Sequence, residues 1–563
     1  MDRKWIVSVL LIVCAACNPA GAPNQPSPTQ TRSAPAETTR RVPEHRIGVR
    51  VVAGQPEFYD KETGRRFTPI GANFVQFGRE NDYIVDRLFV PGKYNPGFVD
   101  EQFRLMQSLG YTVMRISLDI CKQDCIGAKG GGLRADYLDN VVDLLVRAKA
   151  HGLFVIVAAN DLPLDAGYVP KVEATCCTTF DGYINSHYLS PVGVQQWTQY
   201  WKDLVQAFID RDAPFDAILA YQIRGELFLI PDQPPLSLNS GKVTTANGKT
   251  YDLANPTQKN AMIHENVAYW VNTVSAAIHQ LDPTALTTIG LFPPNEPNIW
   301  RADLNRYVPT AAAFAGSSLD YLALHPYPGY VPIEQMMENY QLQAFTGPVI
   351  IGEFGGFKFV FETPQSAAFG LQEWQVASCA YGVQGWTFWH WTGTDDHEVW
   401  TGSEGDGAIR ETLAPVNRPD PCQRVTFDFF ENNLALGKPA RASRFTPDGP
   451  PEMAFDNSAN TYWQSGAGPQ QWIEVDLQAP ATVREIRLST SQYPEGDTVH
   501  QLFAAGPDHN LRLVHEFRGF TRGDQELKYI FPEPLQDIQI LRLVTLESPS
   551  WVSWKEIQVF GSP

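Results

Sequence analysis

Eight short apolar segments recur between residues 47 and 430, and longer stretches separate them. Some of these stretches, such as 137–151 and 263–281, carry apolar residues at the i, i+3, i+4 and i+7 spacing of an amphipathic helix. Continuous apolar strands that alternate with helices are typical of a parallel sheet covered on both faces. Eight such units in roughly 380 residues predict an α/β chain with a closed (β/α)8 barrel, the TIM-barrel fold. The predicted strands are 69–74, 112–117, 154–159, 218–224, 286–291, 321–325, 349–353 and 384–389.

The chain changes character after residue 430. From residue 433 onwards, strand-like runs alternate with turn signals and no long helical pattern appears. Such a pattern is typical of an antiparallel β-sandwich. We therefore expect two folded domains, a barrel over 46–430 and a β-sandwich over 431–563. The strands predicted in the second domain are 472–477, 483–490, 539–544 and 555–560.

The N-terminus has the pattern of a signal peptide. Cations at positions 3 and 4 precede an apolar run over 5–13, which is too short to span a bilayer as a helix. Small residues then lead to Cys17, and this arrangement resembles the lipobox of bacterial lipoproteins, although Cys14 stands where leucine is usual. We expect residues 1–17 to be a lipoprotein signal peptide with Cys17 as the acylation site. A plain secretory signal that is cleaved nearby is the alternative.

The segment 18–45 is rich in Pro, Ser, Thr and Ala and shows no apolar periodicity. Such a segment cannot bury a core and predicts an extended linker. We therefore expect the protein to be exported and held by a lipid anchor on a membrane, either at the cell surface or on the periplasmic side. Without lipidation, we expect it to be secreted. Acidic residues outnumber basic residues by 62 to 44, and the formal net charge of −18 makes nucleic acid an unfavourable partner.

Six cysteines lie beyond the signal peptide, and an even number in an oxidising compartment suggests disulfides. The first two follow the second predicted strand and the next two follow the third, so these pairs belong to neighbouring loops. We expect at least one disulfide between these two pairs, and a further one between the last two cysteines. The six are Cys121, Cys125, Cys176, Cys177, Cys379 and Cys422.

Polar side chains stand at the carboxyl ends of the predicted barrel strands, the face on which barrel active sites lie. Two of them are carboxylates, Glu226 after the fourth strand and Glu353 at the end of the seventh. A retaining glycosidase requires two such carboxylates, because one protonates the leaving oxygen and the other attacks the anomeric carbon. An arginine beside the nucleophile, here Arg115 of the second strand, would keep that carboxylate ionised. Further candidates for substrate contacts are Asn160, His325, Tyr327 and Trp389.

These residues belong to motifs that resemble those of clan A glycoside hydrolases, and in particular of family 5, which includes cellulases and β-mannanases. The resemblance spans nearly all of 47–430, and it implies that Glu226 is the acid/base, that Glu353 is the nucleophile and that Arg115 holds Glu353. In the order of the family, the motifs are PIGANF, TVMRIS, ILAYQIRGE, LALHPYP, IIGEFGG and GWTFWHW.

The same resemblance implies that His325 and Tyr327 line the site and that Trp389 is a platform for a sugar ring. A structural hydrogen-bonding role for His325 is the alternative. One position departs from the family pattern, in which an asparagine that contacts the substrate 2-hydroxyl nearly always precedes the acid/base residue, because this chain has Gly225 there. Three explanations stay open: another residue supplies the contact, the sugar differs, or the activity is weak.

The C-terminal region resembles the discoidin domain, or coagulation-factor type C domain, of which carbohydrate-binding module family 32 is a branch. The motifs that carry the resemblance within 433–561 are NLALGKPARAS, AFDNSANTYW, QQWIEVDL and KEIQVFG. The resemblance implies a sugar-binding module with a structural calcium ion, for which hard oxygen ligands in a turn are suitable. A turn satisfied by its own hydrogen bonds is the alternative. By resemblance, the calcium ligands would be Asp456, Asn460, Thr461 and Glu556.

Aromatic residues divide into two groups in this second domain. Trp463 and Trp472 belong to the signature of the fold and are expected in the core, whereas Tyr493, Phe520 and Trp551 fall in predicted loops and are candidate sugar contacts. The whole sequence thus predicts a retaining glycosidase that cleaves a β-linked oligo- or polysaccharide without a catalytic cofactor. Two alternatives stay open, a glycan-binding surface lipoprotein with a weak or inactive barrel, and an adhesin that acts through the discoidin domain alone.

Overall fold

The computed structural model describes residues 42–80, 83–118, 125–163, 166–169, 184–294, 306–329, 331–392, 398–425, 433–456 and 461–562. The expected signal peptide 1–17 with its Cys17, and the expected linker up to residue 41, lie outside these ranges, as does the expected domain boundary at 430–431. Within the described ranges, no helix has both the length and the apolar character needed to cross a bilayer.

Eight parallel strands close into a barrel, as the sequence predicts. Each strand pairs with the next one in the chain, and the last strand pairs with the first. All eight predicted strands are present, with ends that shift by one or two residues. In chain order they are Ile70–Asn73, Val113–Leu118, Phe154–Ala159, Ile218–Gln222, Thr287–Leu291, Tyr321–Leu324, Val349–Ile351 and Val383–Phe388, and they are numbered β1 to β8 in this order.

Amphipathic helices connect the barrel strands, except between β5 and β6, where the described residues hold the 3-10 helix Ala311–Phe314. Four of the helices begin with an N-cap side chain that accepts a backbone N–H, followed at once by proline, as at Asn95, Ser190, Asn255 and Thr363. This combination stabilises the first helical turn. The six connecting helices are Pro96–Ser108, Ala135–Ala150, Pro191–Asp210, Pro256–Leu281, Ile333–Tyr340 and Pro364–Ser378, numbered α1 to α6 in this order.

A hairpin of Ile47–Val52 and Gln55–Asp60 covers the amino-terminal end of the barrel. Its residues Ile47 and Phe58 are fully buried among barrel side chains such as Tyr321. His45, which the sequence analysis assigns to the linker, is also fully buried, and its Nε2 lies 2.7 Å from Asp282 Oδ2. The packed region therefore includes His45.

Short strand pairs and helices lie in the chain segments that follow the carboxyl ends of the barrel strands. They follow β1, β3, β4, β7 and β8 in the chain. The elements are Phe77–Glu80 with Tyr83–Asp86, Ser186–Leu189, Lys242–Thr244 with Thr250–Asp252, Gly356–Phe357 with Val399–Trp400, and Ala408–Thr412.

The C-terminal region is an antiparallel sheet domain, as predicted. Two predicted strands, 472–477 and 483–490, prove to be one strand, because bulges between Asp476 and Glu485 shift the register without ending the pairing. Trp463 is fully buried as expected, whereas Trp472 is half-buried with Arg542 stacked on its ring. The strands are Ala440–Ala442, Trp463–Gln464, Gln471–Thr490, Gly496–Ala505, Arg512–Thr521, Glu526–Glu547 and Ser553–Ser562, numbered β9 to β15.

A disulfide joins Cys379 to Cys422, which confirms the pairing predicted for the last two cysteines. Cys125 is also disulfide-bonded. Its predicted partners, Cys176 and Cys177, lie outside the described residues together with Cys121, so a disulfide between these two pairs stays a prediction.

Candidate active site

The carboxyl ends of four barrel strands bring five of the predicted site residues together. Arg115 lies within β2, Glu226 follows β4, and Glu353 follows β7. His325 and Tyr327 follow β6, which lies between β5 and β7 in the closed barrel. Residues from separate strands converge because the carboxyl ends of parallel barrel strands meet at one mouth.

The two carboxylates lie close together across this mouth. Nδ1 of His325 is 3.1 Å from Oε1 of Glu226 and 3.4 Å from Oε1 of Glu353. One carboxylate oxygen of each glutamate and a ring nitrogen of His325 all lie within 4.8 Å of one another. The Glu353 side chain is 8% exposed and that of Glu226 is 32% exposed, so only Glu226 has substantial access to solvent.

Glu353 is engaged on both carboxylate oxygens. Nη1 of Arg115 donates to Oε1 over 2.6 Å, and the hydroxyl of Tyr327 donates to Oε2 over 3.0 Å. Burial raises the pKa of the Glu353 carboxyl, as does the charge of Glu226, whereas His325, Arg115 and Tyr327 act in the opposite direction. The donors thus stabilise an anion that burial alone would disfavour.

Two amide side chains outside the predicted set of site residues hold Arg115 in place. Arg115 donates through Nη1 to Asn73 Oδ1 over 2.7 Å and through Nε to Gln222 Oε1 over 2.5 Å. Asn73 in turn donates to the carbonyl of Gly352, the residue before Glu353, over 3.0 Å. A signal was available in the sequence, because Asn73 and Gln222 are polar residues within otherwise apolar barrel strands.

His325 is fully buried, and burial lowers its pKa to about 4, which keeps the imidazole neutral near pH 7. A neutral ring carries one N–H. We assign it to Nδ1, because Nδ1 faces both carboxylates whereas Nε2 has no hydrogen-bond partner within the described ranges. The ring can therefore donate to Glu226 or to Glu353, and its observed contacts are with these carboxylates.

The remaining candidates border the same mouth. Trp389 directly follows β8, is half-buried and lies 5.8 Å from the ring of Phe77, centroid to centroid. The motif GWTFWHW contains two further tryptophans, Trp386 and Trp391, and both are buried in the core. Trp389 is therefore the tryptophan of this motif with an accessible indole ring. Asn160 directly follows β3 and is half-buried.

The trio of Glu226, His325 and Glu353 also has the residue types of a metal site. A cation bound there would lie close to the guanidinium of Arg115, which is already 2.6 Å from Glu353. Repulsion between the two positive charges makes this a poor metal centre and favours acid–base chemistry at the same atoms.

An open groove of about 830 Å³ lies on the C-terminal domain. Tyr493 and Trp551 line it and are 92% and 56% exposed. Polar side chains complete the lining, including the ion pair of Lys555 with Asp524. The third aromatic candidate, Phe520, is exposed within β13 rather than in a loop, and it does not line this groove.

Three of the four predicted calcium ligands lie within the described residues. The hydroxyl of Thr461 lies 2.9 and 2.8 Å from the two carboxylate oxygens of Asp456, and Glu556 is buried within β15. These side chains are hard oxygen donors of the kind that calcium prefers. Asn460 lies outside the described residues.

Comparison with known proteins identifies one part of the chain. Residues 439–557 match the F5/8 type C domain family, which confirms the resemblance stated for the C-terminal region. No curated protein sequence matches the chain.

Solved structures resemble each part of the chain at low identity. The exo-β-1,4-mannosidase Op5Man5 from Opitutaceae bacterium strain TAV5 is 15% identical over 67% of this chain and 64% of its own, with a TM-score of 0.42. The β-mannanase from the blue mussel Mytilus edulis is 16% identical over 67% of this chain and 98% of its own, with a TM-score of 0.39. The family 32 carbohydrate-binding module of C. perfringens NanJ, in complex with galactose, is 18% identical over 22% of this chain and 93% of its own, with a TM-score of 0.20.

Proposed function

We propose that the barrel is a retaining glycoside hydrolase that cleaves O-glycosidic bonds in a β-linked glycan. The observation that carries this proposal is the spacing of Glu226 and Glu353, whose carboxylate oxygens approach within 4.8 Å. Retaining glycosidases place their carboxyl groups about 5–5.5 Å apart, whereas inverting enzymes need about 6.5–9.5 Å to admit a water molecule. The spacing in this chain therefore favours direct attack by one carboxylate.

The surroundings of each glutamate suggest its role. Glu353 accepts hydrogen bonds from Arg115 and Tyr327, which favours the anionic form that a nucleophile needs. Glu226 is more exposed, and two like charges at this distance favour a shared proton. In the first step, Glu353 attacks the anomeric carbon while protonated Glu226 gives its proton to the leaving oxygen. In the second step, Glu226 takes a proton from water, and that water releases the sugar from Glu353.

The stereochemistry of the product tests this proposal. Wild-type protein is incubated with a panel of aryl β-glycosides and β-linked polysaccharides, and proton NMR follows the anomeric signal of the first product. We expect the β-anomer to form first, and Glu353→Gln to abolish turnover while the protein stays folded. An α-anomer as the first product would rule out double displacement. Absence of hydrolysis across the panel would favour the alternative of a glycan-binding protein with an inactive barrel.

We further propose that the C-terminal domain binds glycan through the groove lined by Tyr493 and Trp551. Exposed aromatic rings can stack on the apolar faces of sugar rings, and the polar side chains around them can bind hydroxyl groups. A bound polysaccharide would raise the effective concentration of scissile bonds at the barrel. Calcium would support the same domain through Asp456, Thr461 and Glu556, whose oxygens suit a hard cation.

We also propose that Cys17 carries the lipid anchor. One acyl chain gives marginal membrane binding, so stable attachment requires more than one. The Pro-rich segment 18–41 would then act as a spacer. We expect Cys17→Ser to release the protein from the membrane fraction with unchanged turnover of small glycosides, and a variant that stays in that fraction would reject this anchor.

A further inference from the structure

Gly225, the residue before Glu226, has a neighbour that leaves no room for a side chain. A Cβ atom built on Gly225 would lie 2.2 Å from Oδ1 of Asn160, which is far inside van der Waals contact. The φ angle of Gly225 lies outside the left-handed region, so backbone conformation does not require glycine at this position. The carboxamide of Asn160 therefore occupies the space that a side chain at position 225 would take.

The backbone around both residues keeps this arrangement in place. The amide of Gly225 donates to the carbonyl of Ala159 over 2.7 Å, which joins the end of β4 to the end of β3. The neighbouring residues also interact. Arg224, which precedes Gly225, forms an ion pair of 2.7 Å with Asp161, which follows Asn160. The Arg224 side chain is buried, so this pair fastens the loop that carries Asn160 to the one that carries Glu226.

An unused donor borders the same space. Nη2 of Arg115 would lie 3.3 Å from the Cβ built on Gly225, and it is buried without a hydrogen-bond partner in the described part of the chain. The other nitrogens of Arg115 are engaged by Glu353, Asn73 and Gln222. A buried donor without a partner is costly unless a ligand supplies the acceptor.

We propose that the carboxamide of Asn160 binds the substrate hydroxyl next to the anomeric carbon, and that position 225 is glycine in order to admit this carboxamide. The inference rests on the proposed function. It places the substrate hydroxyl between Arg115, which binds the proposed nucleophile, and position 225, which precedes the proposed acid/base. The hydroxyl would donate to Oδ1 of Asn160 and accept from Nη2 of Arg115. Positive charge that develops at the anomeric carbon makes the neighbouring hydroxyl a stronger donor, so the contact strengthens in the transition state.

A pair of substrates isolates this contact. An aryl β-glucoside or β-mannoside, whichever the wild-type protein hydrolyses, is compared with the aryl 2-deoxy β-glycoside, which is the shared deoxy analogue of both sugars. The quantity of interest is the ratio of kcat/KM for the parent to that for the deoxy substrate. Comparing this ratio between variants cancels the difference in intrinsic reactivity of the two substrates.

We expect Asn160→Ala to lower this ratio roughly 100-fold, through a loss of kcat/KM on the parent substrate alone. Gly225→Ala should lower it as well, because the added Cβ displaces the carboxamide. The double variant Asn160→Ala/Gly225→Asn should recover part of the ratio, since a carboxamide from position 225 can enter the vacated space. Thermal unfolding of each variant confirms that it is folded.

The possible outcomes separate the two proposals. If wild-type protein hydrolyses the parent and Asn160→Ala keeps the wild-type ratio, the assignment of Asn160 is overturned while the glycosidase stands. A Gly225→Ala variant that keeps the wild-type ratio would overturn the claim that glycine at this position is what admits the carboxamide. If wild-type protein hydrolyses no glycoside, the proposed function fails, and the role of Asn160 fails with it.

Discussion

Arg115 and Glu353 form a buried ion pair at the floor of the barrel mouth, with Nη1 of the arginine 2.6 Å from Oε1 of the glutamate. A buried carboxylate is unfavourable unless other groups offset its charge, and removal of one partner from a buried pair leaves the other uncompensated. Two groups offset the charge of Glu353, because Arg115 donates to one carboxylate oxygen and the Tyr327 hydroxyl donates to the other. The protonation of Glu353 should therefore respond to changes at Tyr327.

Tyr327→Phe should move the acidic limb of the pH profile of kcat/KM to higher pH. The hydroxyl of Tyr327 stabilises the anion of Glu353, so its loss adds to the effect of burial and raises the pKa of that carboxyl further. Because attack requires the ionised form, activity would then disappear at a higher pH as the pH falls. A hydrogen bond to a charged group corresponds to a shift of about one pH unit or more. Tyr269→Phe, on the surface of α4, serves as the control and should leave the profile unchanged.

Glu226→Ala should separate the two chemical steps. Substrates with poor leaving groups need the proton of Glu226, and their turnover should fall by about 10²–10⁴-fold. Aryl glycosides with acidic phenol leaving groups do not need it in the first step, so the glycosyl-enzyme should accumulate and produce a burst of phenol. Rapid-mixing absorbance measures the burst, and Glu334→Ala, at an exposed glutamate of α5, is the control. Equal losses for good and poor leaving groups would contradict the assignment of Glu226 as the acid.

The sequence predicts the barrel well because each strand is a continuous apolar run, and the barrel topology then brings Glu226 and Glu353 to one mouth. The contacts that hold Arg115 are harder to foresee. Asn73 and Gln222 lie 42 and 107 residues from Arg115 in the chain, so their hydrogen bonds follow from strand register rather than from any local pattern. The bulges that merge two predicted strands into β11 likewise depend on the pairing of β11 with β14.

The burial of His45 illustrates the same limit. It stands at the end of a polar, Pro-rich segment, and nothing in that composition indicates that its ring would contact Asp282 and the carbonyl of Ile218. The contact by which Asn160 excludes a side chain from position 225 also depends on the assembled barrel, since the two residues follow different strands. The sequence reveals only that position 225 departs from the family pattern.

Trp551→Ala and Tyr493→Ala should each weaken binding of the full chain to an insoluble polysaccharide that the enzyme degrades. Truncation of an aromatic anchor typically lowers affinity by roughly 10-fold or more. Phe520→Ala offers a control matched to Trp551→Ala, because Phe520 is about as exposed as Trp551 but lies outside the groove. Depletion assays measure the binding, and turnover of small aryl glycosides should stay unchanged in all three variants. Stronger loss in Phe520→Ala than in Trp551→Ala would place the binding surface elsewhere.

Calcium should raise the thermal stability of the C-terminal domain. A ligand that binds only the folded state at 100 times its Kd adds about 2.7 kcal/mol to the free energy of unfolding. Differential scanning calorimetry in calcium and in chelator should show a shift in the transition of this domain, and Asp456→Ala should remove the shift. Asp508→Ala, at an exposed turn of the same domain, should keep it. A transition that chelator leaves unchanged would favour a turn that its own hydrogen bonds, such as those between Thr461 and Asp456, satisfy without calcium.

Loss of the disulfide between Cys379 and Cys422 should destabilise the barrel without affecting catalysis. The bridge joins two residues that are 43 positions apart in the sequence. In the chain-entropy description, loss of such a bridge lowers the free energy of unfolding by about 2–4 kcal/mol. Cys379 precedes β8, so it lies toward the amino-terminal end of the strands and away from Glu226 and Glu353.

The double variant Cys379→Ser/Cys422→Ser tests this more cleanly than a reductant, because reduction would also break the disulfide of Cys125. Denaturant unfolding should show a lower midpoint for the barrel transition, with kcat/KM on aryl glycosides unchanged under native conditions. If the double variant loses activity while it remains folded, the disulfide supports the site as well as the fold. An unchanged midpoint would mean that native packing holds the segment after β8 that carries Cys422 in place without the bridge. The hydrogen bond from Arg418 to Gln375 belongs to that packing.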